Sequence, residues 1–160
     1  MNTYYISVGS NLGDRQWFID NAYAELLAHQ EIAHRESAPV IETEPWGYTE
    51  QGAFLNTVWR ITTHLDPFSV LHILQSLEKK SNRQRHIHWG PRTLDLDIIY
   101  GIDSWGAEII IEDEELTIPH LYFWDRLFVL VPLQGIEPGF TFKGEHIEER
   151  IQYLVRHPEQ

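Results

Sequence analysis

His88-Trp89-Gly90-Pro91-Arg92-Thr93-Leu94-Asp95-Leu96-Asp97-Ile98-Ile99 passes from a loop into a strand of unusual composition. From Thr93 onward polar and apolar residues alternate at the period of an extended chain. Thr93, Asp95 and Asp97 therefore share one face, and Leu94, Leu96 and Ile98 the other. Aspartate is depleted in strands, and two of them at i and i+2 set their Cα atoms about 6.5 Å apart. At an effective dielectric of about 20 their repulsion is about 2.5 kcal/mol; in open water it falls well below ~1 kcal/mol. A partly buried pair thus calls for a cation, whereas a solvent-facing edge strand does not. The pair alone leaves both readings open. Two splayed carboxylates suit one or two Mg2+ ions, which prefer oxygen ligands and keep water or phosphate in their other positions. Arg92 shifts the balance, because a guanidinium binds phosphate bidentately. An acidic pair for metal beside an arginine for phosphate is the equipment of phosphoryl transfer.

The residues just upstream point the same way. Lys79, Lys80, Arg83, Arg85 and Arg92 fall within fourteen residues that contain no acid, in a chain whose net charge is −12. Bases at a helix C-terminus suit its dipole, which accounts for Lys79 and Lys80. Arg83 and Arg85 are expected beyond that helix. A local positive funnel on an acidic protein fits a small polyanion such as a nucleoside triphosphate, and the net charge argues against a general affinity for nucleic acid or an anionic membrane surface.

Working outward, residues 4–8 read as a strand running into the turn Gly9-Ser10-Asn11-Leu12-Gly13. Asp14 is a suitable N-cap for a helix to about His29, with Phe18, Ala22 and Leu26 as its apolar stripe. The turn matches neither the Walker pattern nor GxGxxG, and a plain connection is the simpler reading. Residues 37–43 make a second strand, and residues 44–52, with Trp46, a surface loop. A third strand over 53–63 puts Phe54, Asn56, Val58 and Arg60 on one face. Phe54 and Asn56 could stack and hydrogen-bond a flat heterocycle; a core Phe beside a structural Asn fits equally well.

Asp66-Pro67 starts a helix with Val70, Leu74 and Leu77 as its buried stripe, Gln75 and Glu78 facing together, and an end near Ser81-Asn82. The loop over 83–91 carries the bases and could close over phosphates. After the Asp strand, residues 107–111 are expected to pair as a hairpin, and 112–115 form an acidic, solvated loop. A short helix begins near Trp124 and ends at Pro132. Ile147, Ile151 and Leu154 mark a last helix, stopped before Pro158.

The first six elements thus read strand, helix, strand, strand, helix, strand. That is the order of an α+β, ferredoxin-like βαββαβ sandwich, here with a C-terminal hairpin and helices. With 160 residues and neither an internal repeat nor a linker, a single domain over 1–160 is expected. The chain has no cysteine, no basic N-terminal leader pattern and no apolar run long enough for a bilayer, which fits a cytoplasmic protein.

The segment Gly90-Pro91-Arg92-Thr93-Leu94-Asp95-Leu96-Asp97-Ile98 resembles the signature of 6-hydroxymethyl-7,8-dihydropterin pyrophosphokinases, enzymes of folate biosynthesis. The likeness extends over nearly the whole chain, through Gly9 to Gly13, Thr43, Gly47, Phe54, Asn56, Gln75, Glu78, Arg83, Arg85, the run from Leu116 to His120, Arg126 and Phe128. It implies that the hydroxymethyl oxygen of a dihydropterin attacks the β-phosphorus of ATP and that AMP leaves. By this resemblance Asp95 and Asp97 hold two Mg2+ ions, and Arg83 and Arg92 bind phosphate and stabilise the moving charge. Gln75, Glu78, Arg85, Thr117, His120 and Arg126 serve the nucleotide, with backbone at Ile98 on the adenine edge. The pterin lies between Phe54 and Phe128, with Asn56, Thr43 and backbone near Trp46 at its polar edge. Trp89 rides on the closing loop. The partners implied are these small molecules alone, and a monomer is expected. His88, Glu115, Leu121 and Glu44 depart from the usual pattern, each standing where a different residue type is common.

Two rival functions remain on the residues alone. A metal-dependent nucleotidyltransferase would use the same Asp pair but release pyrophosphate. A regulatory nucleotide-binding module would bind Mg-ATP and turn over no pterin, and such a module has no need of Arg92, Asp95 and Asp97 together.

Overall fold

Alternation in the first strand sets up a sheet with two unlike faces. The computed structural model describes residues 1–11, 15–43, 54–83 and 94–158. Strand β1 (Asn2–Ser10) sends Tyr4, Ile6 and Val8 into one apolar layer and Tyr5 into another. The other main elements are α1 (Arg15–Ala28), β2 (Ile32–Ser37), β3 (Ile41–Thr43), β4 (Phe54–Thr63), α2 (Pro67–Arg83) and β5 (Asp95–Ile102). The sheet order is β2-β4-β1-β5, with β3 also pairing β4, and every pairing is antiparallel. This is the arrangement expected of the split βαβ order.

Helices α1 and α2 cover one face. The expected stripes are buried: Phe18, Ala22 and Leu26 on α1, and Val70, Leu74 and Leu77 on α2. Each of the larger side chains contributes about 1.5–3 kcal/mol by leaving water. At the start of α2, Asp66 Oδ1 accepts from Ser69 N at 3.1 Å, the cap expected from Asp66-Pro67. The opposite face is covered by residues from Phe123 onward, whereas Ile111, Leu116 and Ile118 just before them extend the layer of the two helices. Hairpin β6 (Ile111–Glu112) with β7 (Thr117–Ile118) leads to a 3-10 turn (Phe123–Asp125). Helix α3 (Leu127–Ile136), hairpin β8 (Thr141–Phe142) with β9 (Glu145–His146) and helix α4 (Ile147–Arg156) follow. Val58, Ile99, Phe123, Leu130, Leu133 and Phe140 make the second apolar layer, and the aromatic rings meet edge to face, Tyr100 on Phe140 at 4.9 Å.

Five expectations need correction. Arg83, expected beyond the second helix, is the last residue of α2. The strand expected over 37–43 is two strands, β2 and β3, broken at Ala38-Pro39. Pro39 has no N–H to give the ladder, and the gap is closed from β4, where Thr57 Oγ1 donates to the Ala38 carbonyl at 2.8 Å. Gly9 and Ser10 belong to β1 rather than to a turn. Residues 107–111 do not form a regular strand: they touch β5 through an Ile102–Glu108 bridge and Ile109 N to Gly101 O at 2.9 Å, and Ile111 pairs with β7 instead. Pro132 does not end α3, which continues to Ile136. A proline there removes one helical bond, and burial of Val129, Leu130, Pro132 and Leu133 outweighs that loss. The Asp14 cap and the loop over 44–52 lie outside the described residues.

Candidate active site

Side-chain parity across three adjacent strands assembles the site. Gly9 on β1 pairs with Asn56 on β4 and with Asp95 on β5, and one step along Ser7 pairs with Val58 and Asp97. Leu94, Leu96 and Ile98 enter the layer under α1 and α2, so Asp95 and Asp97 face the other way, as alternation requires. Both carboxylates are half-buried at the end of the sheet. The result is one row, Asn56–Gly9–Asp95, in which an amide and a carboxylate stand two strand spacings apart, about 9.6 Å, with a residue lacking a side chain between them.

On the amide side, Asn56 is buried and its Nδ2 donates to Thr43 Oγ1 at 2.6 Å. With Nδ2 committed, Asn56 Oδ1 sits above Gly9, where a β-carbon would come within 3.2 Å of it. Phe54, half-buried, pairs with Thr43 across the β3–β4 ladder. Thr43, Phe54 and Asn56 are therefore together, as expected from the sequence.

On the carboxylate side, a cleft of about 260 Å³ is lined by Asp97, Ile98, Thr117, His120 and Tyr122, with Leu71 of α2 as part of its floor. His120 is fixed by two bonds: its N–H donates to the Ile99 carbonyl at 2.9 Å, and its Nδ1 accepts from Tyr122 N at 3.1 Å. Burial lowers the His120 pKa, the Arg126 guanidinium lowers it further, and Asp95 opposes them. The lowered pKa favours the neutral ring, and with Nδ1 accepting from Tyr122 N its proton is on Nε2. Arg126 lies 5.7 Å from the ring centres of both Tyr122 and Phe128, and its charge, like that of Asp95, acts on His120.

Glu78 takes a place that spacing alone did not show. Its Oε2 accepts from Leu96 N at 2.8 Å, fastening α2 to the segment between the two aspartates. Gln75 is exposed on the same helix, and no described contact joins it to the cleft. The Arg83 side chain, Arg85, Trp89, Arg92 and Trp46 lie outside the described residues. Among the described residues no group of three or more His, Asp or Glu could hold a metal. Two carboxylates on one face, half-buried, nonetheless fit Mg2+, which takes few protein ligands and completes its shell with phosphate and water. Sequence reasoning missed Gly9, Leu71 and Tyr122. Extending strand parity one residue past Val8 would have found Gly9.

Residues 5–138 match the family model described as 7,8-dihydro-6-hydroxymethylpterin-pyrophosphokinase (HPPK). The chain belongs to this family. An HPPK of Bacillus subtilis, named 2-amino-4-hydroxy-6-hydroxymethyldihydropteridine pyrophosphokinase, is 42% identical over 135 residues, covering 84% of this chain and 78% of that one. A protein of the same name from Methylorubrum extorquens is 36% identical over 154 residues, covering 96% of this chain and 94% of the other. Among solved structures, wild-type Plasmodium falciparum HPPK-DHPS superposes with a TM-score of 0.70 at 15% identity, covering 99% of this chain and 42% of that one. That likeness concerns the HPPK fold. Among the described residues no helix is long and apolar enough to cross a membrane.

Proposed function

We propose that this chain carries out its family's reaction: transfer of pyrophosphate from ATP to the hydroxymethyl group of 6-hydroxymethyl-7,8-dihydropterin, a step of folate biosynthesis. The bond formed joins the pterin alcohol oxygen to the β-phosphorus; the bond broken leaves the bridging oxygen on AMP, and the alcohol proton is released. The observation that supports this reading is the Asn56–Gly9–Asp95 row: an amide and a carboxylate share one sheet face, as a group reading a heterocycle and a group holding metal would need to.

The pterin's polar edge would meet Asn56 and Thr43, and its faces Phe54 and Phe128, with backbone near Trp46 adding to the pocket. Offset stacking orients a flat ring well. The triphosphate would enter the cleft beside Asp97, Thr117 and His120. Here a neutral His120 donates through Nε2, and Arg126 supplies positive charge. Leu96 gives its N–H to Glu78, and alternation along β5 turns the backbone of Ile98 to the same outer edge, where an adenine could be read. Gln75, Arg83, Arg85, Trp89 and Arg92 belong to the same proposal as phosphate, nucleotide and closure residues. Asp95 and Asp97 would hold two Mg2+ ions, whose chemistry is to neutralise phosphate charge and orient the reacting groups. No protein nucleophile is required; the side chains orient two substrates and balance charge. A single domain over 1–160, acting as a cytoplasmic monomer on these small molecules, completes the reading.

Mass spectrometry of a mixture of the protein, Mg-ATP and the hydroxymethyl dihydropterin tests it. AMP and the pterin diphosphate are the expected products. Free pyrophosphate would favour a nucleotidyltransferase, and no turnover with intact ATP binding would favour a regulatory module.

A further inference from the structure

We infer that Arg150, on helix α4 and outside the residues that match the family model, is a positioning residue for the Arg126–Phe128 side of the pocket. The inference rests on the proposed placement of Arg126 and Phe128 against the substrates. The 3-10 turn before them is a single turn. Its closing bond, Arg126 N to Phe123 O, is long at 3.4 Å. At Arg126 the backbone becomes extended (φ −120°, ψ 108°) before α3 begins. On its N-terminal side Arg126 is therefore held only loosely by local bonds, while its carbonyl accepts from Val129 N and Leu130 N, both at 3.0 Å, so the direction in which Arg126 and α3 leave the turn depends on what holds the turn.

Arg150 supplies what the turn lacks. Its Nε donates to the Trp124 carbonyl at 2.8 Å, and a terminal nitrogen of the same guanidinium pairs with Asp125 Oδ1. These are the two residues immediately before Arg126, held by a rigid planar group at two points. The guanidinium also lies 5.0 Å from the Tyr153 ring centre, one turn along α4. Trp124 is held a second time, its Nε1 donating to Glu145 Oε1 at 2.7 Å. Helix α4 is itself anchored by buried Ile147 and Leu154. A chain of contacts thus runs from the second apolar layer through Arg150 to the segment that projects Arg126 and Phe128.

Steady-state kinetics of the whole protein test this, with the KM for hydroxymethyl dihydropterin and kcat read separately and melting recorded beside them. Arg150→Met is expected to lower kcat/KM for the pterin about 10-fold or more, and Arg150→Lys to recover part of it. In a Phe128→Ala background the Arg150→Met effect should shrink to about 2-fold or less, because both changes disable the same element. Equal Arg150→Met effects in the two backgrounds would overturn the inference, as those of a residue that only fastens α4. Should Arg150→Met fail to fold, Asp125→Asn decides: its side chain is largely exposed, and unchanged pterin kinetics in that variant overturn the inference. A Phe128→Ala variant with an unchanged pterin KM would instead overturn the pocket assignment, and the inference with it.

Discussion

Gly9 lies beneath the Asn56 amide, so close that a methyl group at position 9 would sit 3.2 Å from Asn56 Oδ1. On the proposed placement of the pterin, the missing side chain is thus part of its pocket. In Gly9→Ala, Asn56 must shift by a few tenths of an ångström, against its 2.6 Å bond to Thr43. Pterin binding should weaken about 10-fold and nucleotide binding less than about 2-fold. Alanine suits a strand better than glycine by about 0.5–1 kcal/mol, so melting should hold or rise as affinity falls. Separate titrations with each ligand check this, and equal losses for both would contradict the placement.

Asp97→Ala should remove most turnover, about 100-fold or more, with the fold retained. Asp97 is half-buried on the open sheet face and contributes to neither apolar layer. Near-normal product formation by this variant would end the metal assignment.

Glu78 offers a way to separate two roles. If it acts by holding Leu96 N, then Glu78→Ala leaves a part-buried N–H without that acceptor, at a cost of about 1.5–3 kcal/mol, and turnover falls with it. Glu78→Gln keeps an acceptor oxygen, so it should restore most of both. Failure of the Gln variant to restore turnover, with stability recovered, would mean that the carboxylate charge itself serves the nucleotide.

A pH dependence of stability follows from Arg60. Its Nη2 donates to both Glu36 carboxylate oxygens at 2.8 Å, its Nε to Glu36 Oε1 at 3.1 Å and its Nη1 to Glu137 Oε2 at 2.8 Å, joining β2, β4 and the end of α3. Hydrogen bonding from Arg60 holds the Glu36 carboxyl below its ordinary pKa of 4.5. The folded state therefore binds this proton less readily than the unfolded chain. The resulting stabilisation is present above about pH 4.5 and is lost as pH falls through the lowered value. Arg60→Met should melt below the wild type at neutral pH, and the gap should narrow in acid. A gap that stays constant down to about pH 3 would show that Glu36 has no part in it.

Much of this was legible because two periodicities were clean. Alternation from Leu94 to Ile98 gave the facing of Asp95 and Asp97, and the i, i+4 stripe on α2 gave its buried side. The β2–β3 break was obscured because residues 32–37 are largely polar, so no apolar alternation marks them as a strand. Pro132 misled because its local penalty is outweighed by burial against elements distant in sequence. The roles of Glu78 and Arg150 depend on contacts 18 and 26 residues away, which no local pattern encodes.

On the proposed placement, the row across β4, β1 and β5 makes the backbone ladder a ruler between the two substrates. Exchanging a side chain alters what is held at one mark, but lengthening or shortening β1 moves the marks themselves. One added residue in β1 would slip its register and turn Gly9 to the wrong face, setting a side chain between amide and carboxylate. Loss of a single codon there should therefore be harder to tolerate than most substitutions in either pocket.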